Sequence, residues 1–111
     1  MNYRKGFEAE NRAIEYLQNL NFKIITRNFY TSYGEIDIVA SKNSILHFVE
    51  VKSNRSFHPA YNITSKKMAR ILQSIDIYLS QHSEYSNMDI SVDILTIFNG
   101  EIEFIENISL I

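Results

Sequence analysis

The chain has no cysteine, so it can form neither a disulfide framework nor a thiolate metal site, which fits a reducing compartment. It has one proline and three glycines. So few of either argue against long flexible linkers and against disorder. No apolar run approaches a membrane span, and the start, MNYRKGFEAENR, lacks a signal-peptide core. A cytoplasmic protein with no membrane partner is expected. One-sided charge is missing too: the net value is −2, which does not by itself point to nucleic acid.

What remains is enough for a core. The 111 residues are 45% hydrophobic and 13% aromatic, the size of a single domain. Charge is unevenly placed. From Val51 to Ile75 there are five basic residues and no acid, namely Lys52, Arg55, Lys66, Lys67 and Arg70. The remainder holds six basic residues against all thirteen acids. Such a segment can bind phosphate within a mildly acidic protein. Lys66, Lys67 and Arg70 can equally be the wet face of a helix.

Hydrophobic spacing predicts a helix over residues 3–20, with Tyr3, Phe7, Ala13, Ile14, Leu17 and Leu20 on its apolar side and Asn21 at its end. Phe22 to Phe29 reads as a strand and Tyr30 to Gly34 as a hairpin turn. Glu35 to Ala40 is a second strand, Ser41 to Ser44 a polar turn, and Ile45 to Ser53 a third strand. Residues 54–63 form a loop. Thr64 or Ser65 caps a second helix reaching about Gln81, with a stripe of Met68, Leu72, Ile75 and Leu79 widened by Ile71 and Tyr78. After a polar linker, His82 to Asn87, a fourth strand runs from Ile90 to Phe98. Asn99-Gly100 turns it into an edge strand from Glu101 to Glu106. The order is α-β-β-β-α-β-β, an α/β chain.

Four charged residues fall where a core prefers apolar groups. Strand alternation puts Glu50 and Lys52 on one side of the third strand, with Phe48. Asp37 interrupts the apolar second strand. Folding back about Asn43 sets it across from Val49 or Glu50, depending on register. Two carboxylates on neighbouring strands then converge within reach of one ion. A hard cation such as Mg²⁺ takes oxygen ligands and polarises a phosphate, and a nearby lysine can orient water or steady developing charge. Glu10, between Phe7 and Ile14 on the first helix, is the third acid aimed inward. Each residue has a plainer alternative: an exposed Glu50–Lys52 ion pair, an Asp37 that only accepts backbone hydrogen bonds, a Glu10 at the stripe's edge. Their joint occurrence favours one site. His47 alternates away from Glu50, and Asp93 within Val92-Asp93-Ile94-Leu95 suits a structural hydrogen bond.

The segments Arg27-Asn28, Gly34-Glu35-Ile36-Asp37-Ile38-Val39-Ala40 and Phe48-Val49-Glu50-Val51-Lys52-Ser53 resemble the YraN-like bacterial proteins. The likeness extends to Gly6, Glu10-Asn11-Arg12-Ala13, Tyr16-Leu17, Lys67, Arg70-Ile71 and Val92-Asp93, in order along nearly the whole chain. That family stands in the PD-(D/E)XK nuclease superfamily, akin to archaeal Holliday junction resolvases. The resemblance implies one restriction-endonuclease-like domain over 1–111, a central mixed sheet flanked by helices. It also implies Asp37 and Glu50 as metal ligands, Glu10 as the helix acid aimed at the metal, and Lys52 as the catalytic lysine. Glu35 belongs to the motif without an assigned task.

The leading expectation is a Mg²⁺- or Mn²⁺-dependent endonuclease acting on DNA, branched or single-stranded. Arg55, Lys66, Lys67 and Arg70 would hold its backbone by charge. The likeness leaves room for a homodimer, the form in which resolvase-like relatives act. Two other readings compete with it: a nucleic-acid-binding module without turnover, and a protein-interaction adaptor whose acids form only an ion-pair network.

Overall fold

The structure is a computed structural model describing residues 2–54 and 63–108, with side chains from Phe7 onward. Helix α1 covers Asn2–Asn19, followed by strands β1 (Lys23–Thr31), β2 (Gly34–Lys42) and β3 (Ile45–Asn54). Helix α2 covers Ser65–Gln81, then a single 3-10 turn Ser83–Tyr85, then β4 (Asp89–Phe98) and β5 (Glu101–Ile105). The seven-element order read from the sequence is therefore the observed one. Arg55, His58 and the rest of the 54–63 loop beyond Asn54 and Ile63 lie outside the described residues.

Local chemistry explains where elements stop. Asn21 adopts a left-handed φ of 71°. Its N–H donates to Gln18 O at 3.0 Å, and the Phe22 N–H donates to Leu17 O at 3.0 Å. This paired closure ends α1 and brings Phe22 onto Leu17 in the core. Asn43 and Ser44, with φ of 53° and 63°, make the tight turn between β2 and β3. Asn99 and Gly100 do the same between β4 and β5, with φ of 50° and 83°. Thr64 caps α2, its Oγ1 accepting the Lys67 N–H at 3.1 Å.

The five strands form one sheet in the order β1-β2-β3-β4-β5. β3 and β4 are parallel, joined through α2, and the other pairs are antiparallel. α1 covers one face through Ala9, Ala13 and Leu17, packed on Ile38, Ala40, Val49 and Leu95. α2 covers the other through Ile71, Ile75 and Tyr78, packed on Val39, Leu46, Phe48 and Val92. Ile71, Ile75 and Tyr78 of the expected α2 stripe are buried, but Leu72 is exposed and Ser74 takes a buried place instead. Polar tips allow this, because Ser74 Oγ meets Thr31 Oγ1 at 2.8 Å and Tyr78 OH meets Thr26 Oγ1 at 2.7 Å. Phe7 on α1 and Leu20 just past its end are exposed rather than core. Among the described residues no helix is long and apolar enough to cross a membrane.

Two irregularities shape the site. Asn28 has a left-handed φ of 58°, a conformation asparagine tolerates better than most residues. Arg27 and Phe29 would share a face in a regular strand. Instead Arg27 reaches α1, while Phe29 packs edge-on against Tyr78 under α2. β2 follows the same turnover, with Ile36 in the α2-side core and Ile38 in the α1-side core. Asp37 lies between them. At the same point the β2–β3 ladder ends, its last pair being Ile38 with Val49. Beyond it β2 stays paired to β1 as far as Gly34, and β3 stays paired to β4 as far as Asn54. The sheet forks there.

Candidate active site

Continuing the β2–β3 register by one step would set Asp37 opposite Glu50, one of the two pairings the hairpin arithmetic allows. With the strands parting, the Val51 N–H has no backbone partner on β2, and it donates to Asp37 Oδ2 at 2.8 Å instead. That bond holds the carboxylate in the crotch of the fork, between Glu10 on the α1 side and the cleft on the α2 side. From the α1 side comes Glu10, with Glu35 from the start of β2. One carboxylate oxygen each of Glu10, Glu35 and Asp37 lie within 4.8 Å of one another. Arg27 steadies Glu10: its Nε is 3.5 Å from Glu10 Oε1, its Nη2 donates to Phe7 O at 3.2 Å, and its guanidinium lies 4.5 Å above the Phe7 ring. The exposed Phe7 thus serves as a platform for the arginine that positions Glu10.

On the α2 side the fork opens into a cleft of about 380 Å³. Glu35, Asp37 and Glu50 line one wall, and Lys66, Lys67 and Arg70 of α2 line the other. Glu50 does not belong to the three-oxygen group; its Oε2 takes the Lys67 ammonium at 2.7 Å. It still shares the cleft with Asp37 rather than facing away. Lys52 is half-buried on β3, on Glu50's side by alternation and level with Thr96 of β4. Arg55 is outside the described residues.

The electrostatics of the group are lopsided. Asp37 is pushed up to about 8, first by burial and next by the charge of Glu50. The Val51 N–H opposes the shift, and Glu35 and Glu10 add to it. Glu35 is also raised, by burial and then by Glu10; the hydroxyl of Tyr30 opposes this with a hydrogen bond, and Glu50 adds to it. Acids packed this closely repel unless protons or cations are shared among them. The donor set is wholly carboxylate oxygen, the chemistry that Mg²⁺ and Mn²⁺ prefer. The site therefore can hold a divalent metal ion.

Glu35 is the residue that sequence reasoning undervalued. Its signal was its place in the Glu35-Ile36-Asp37 segment, two residues before Asp37, which a regular strand would set on one face. The remaining buried charge lies elsewhere. Asp93 accepts from Ser91 Oγ at 2.6 Å and from the Asn107 N–H at 2.9 Å, and it meets His47 Nδ1 at 2.6 Å. This cluster is satisfied and structural, as expected for both Asp93 and His47. His82 caps the end of α2, its Nδ1 2.8 Å from Tyr78 O.

Comparisons with known proteins agree along the whole length. A UPF0102 protein of Wolinella succinogenes is 50% identical over 110 residues, covering 99% of this chain and 100% of that one. Another from Helicobacter hepaticus is 47% identical over 111 residues, covering 99% of each chain. A third, from Helicobacter pylori strain HPAG1, is 45% identical over 105 residues, 95% of this chain and 90% of its own. The model of Uncharacterised protein family UPF0102 matches residues 9–97, from beside Glu10 to the end of β4 and through every acid of the fork, and the chain belongs to that family.

Proposed function

We propose that the chain is a Mg²⁺- or Mn²⁺-dependent endonuclease that hydrolyses phosphodiester bonds in DNA, branched or single-stranded. One observation carries the reading: the carboxylates of a forked sheet face the cationic first turns of α2 across a single cleft. That is the charge layout required by a metal ion on one side and a phosphate backbone on the other. The resemblance of the Asp37 and Glu50 blocks to the PD-(D/E)XK nucleases supports the same reading.

In this reading Asp37 and Glu10, with Glu35 or Glu50, hold the ion. Held there, a divalent ion would supply polarisation of the phosphate and a lowered pKa for a bound water, so that the water gives up a proton and becomes the nucleophile. The protein's residues do the rest. The Val51 N–H fixes the Asp37 carboxylate, and Arg27 fixes that of Glu10. Lys52 steadies the charge that develops on the phosphate or orients the attacking water. Lys66 and Arg70 hold neighbouring phosphates, joined by Lys67 and by Arg55.

The test uses labelled duplex, single-stranded, flap and four-way-junction DNA with Mn²⁺, comparing wild type with Asp37→Ala and Lys52→Ala. Cleavage by wild type that both variants lose is the expected result. DNA binding without cleavage in every metal tried overturns the proposal. It would leave a second reading, a binding module without turnover, favoured by the engagement of Glu50 with Lys67 instead of with the other acids.

A further inference from the structure

We propose that Lys67 is a tethered counter-cation for Glu50. Its ammonium occupies the carboxylate while the fork holds no divalent ion, and metal binding releases it to a phosphate of the substrate. The inference rests on the nuclease reading and adds to it a named link between metal and substrate.

Three cations stand on the α2 wall of the cleft. Among the described residues only Lys67 is joined to an acid, with its Nζ 2.7 Å from Glu50 Oε2. Lys66 and Arg70 make no ion pair among the described residues. The two partners differ in freedom. The Glu50 side chain is 13% exposed and that of Lys67 is 46% exposed, so the carboxylate is held in the fork while the ammonium borders water. The backbone of Lys67 is fixed, since its N–H is the one Thr64 caps. Its four-carbon stem is therefore the moving part: it swings from a stationary Cα at the edge of the phosphate wall.

Exchange is favourable for a stated reason. An ammonium brings one charge to one carboxylate. A divalent ion brings two and shares them with Glu10, Glu35 and Asp37, whose mutual repulsion no ammonium at Glu50 relieves. Once displaced, Lys67 adds a third free cation beside Lys66 and Arg70, so metal binding strengthens the phosphate site. By linkage, phosphate strengthens the metal site equally. Without metal, Lys67 neutralises Glu50 and the wall is one cation weaker.

The experiment measures Mn²⁺ affinity by isothermal titration in wild type, Lys67→Met, Lys67→Gln, Lys66→Met and Glu50→Gln, and in Glu50→Gln combined with Lys67→Met. Removing Lys67 should tighten Mn²⁺ about tenfold, within the usual range for coupled sites. Lys66→Met removes the same charge from the same wall and should change affinity by less than about threefold, a screened long-range effect. The gain from Lys67→Met should vanish in the Glu50→Gln background. Binding of a fluorescein-labelled eight-nucleotide thymidine strand, followed by anisotropy, should tighten with Ca²⁺ in wild type and lose that dependence in Lys67→Met. Equal Mn²⁺ affinities for Lys67→Met and Lys66→Met overturn the role of Lys67 and leave the metal site standing. Wild type that binds no Mn²⁺ overturns the metal-dependent nuclease reading and the inference with it.

Discussion

Asp37 and Asp93 each interrupt an apolar run, Ile36-Asp37-Ile38 in β2 and Val92-Asp93-Ile94 in β4. Their surroundings are opposite. Asp93 is fully buried and collects donors: a serine hydroxyl, a backbone N–H and an imidazole. Asp37 collects one N–H and three other acids. A buried carboxylate ringed by donors has its needs met and ties strands together. One ringed by carboxylates is short of positive charge, and that shortage is what a metal ion supplies. The difference comes from the sheet. At Asp93 β4 stays paired to β3, opposite Val49, whereas at Asp37 β2 has already parted from β3.

Substitutions should separate the two residues, and the largest effect is on activity. Asp37→Ala and Lys52→Ala should each lower the DNA cleavage rate by at least about 10²–10³-fold. Asp93→Asn should cleave at near the wild-type rate per folded molecule, measured as initial nicking rates. Comparable losses in Asp93→Asn would erase the distinction. Next comes stability. Asp93→Ala leaves the buried His47 and Ser91 side chains without their partner, and the Asn107 N–H with them, and should cost about 3 kcal/mol, read by urea denaturation.

Asp37 should behave in the opposite sense. Its pKa is raised from 3.8 to about 8 in the folded chain. Between those values the folded state keeps a proton that the unfolded chain has released. Metal-free stability therefore falls as pH rises through that window. Asp37→Asn keeps an acceptor for the Val51 N–H and removes the charge. It should stabilise the metal-free protein at pH 8 by about 1–2 kcal/mol, with a smaller gain at pH 5. The smallest effect expected is at the far wall: Thr64→Ala should cost about 1 kcal/mol by uncapping α2, read by urea denaturation.

Much of this contrast could be read from the chain itself. Periodicity and turn residues gave all seven elements, and the spacing about Asn43 set Asp37 across from Val49 or Glu50, close to the observed register of Ile38 with Val49. His47 was placed away from Glu50 by simple alternation. Other features depend on departures from regular structure. The left-handed Asn28 turns β1 over, and β2 turns with it, which is how Glu10 from one face and Glu50 from the other converge on Asp37. No alternation rule anticipates such a turnover. The pairing of Lys67 with Glu50 joins residues far apart in sequence on different elements, so the pattern offered Lys67 only as a phosphate contact or as the wet face of a helix. The exposure of Leu72 follows from hydroxyl pairs on Ser74 and Tyr78 that apolar counting ignores.

The central claim is that the fork at Asp37 is a divalent-metal site. Thermal unfolding of wild type and Asp37→Asn at pH 8, each with and without Mn²⁺, tests it most directly. The account predicts that metal-free Asp37→Asn melts above metal-free wild type, and that Mn²⁺ raises the melting temperature of wild type by several degrees while leaving the variant nearly unmoved. A variant that melts below wild type without metal, together with equal responses to Mn²⁺, would contradict it.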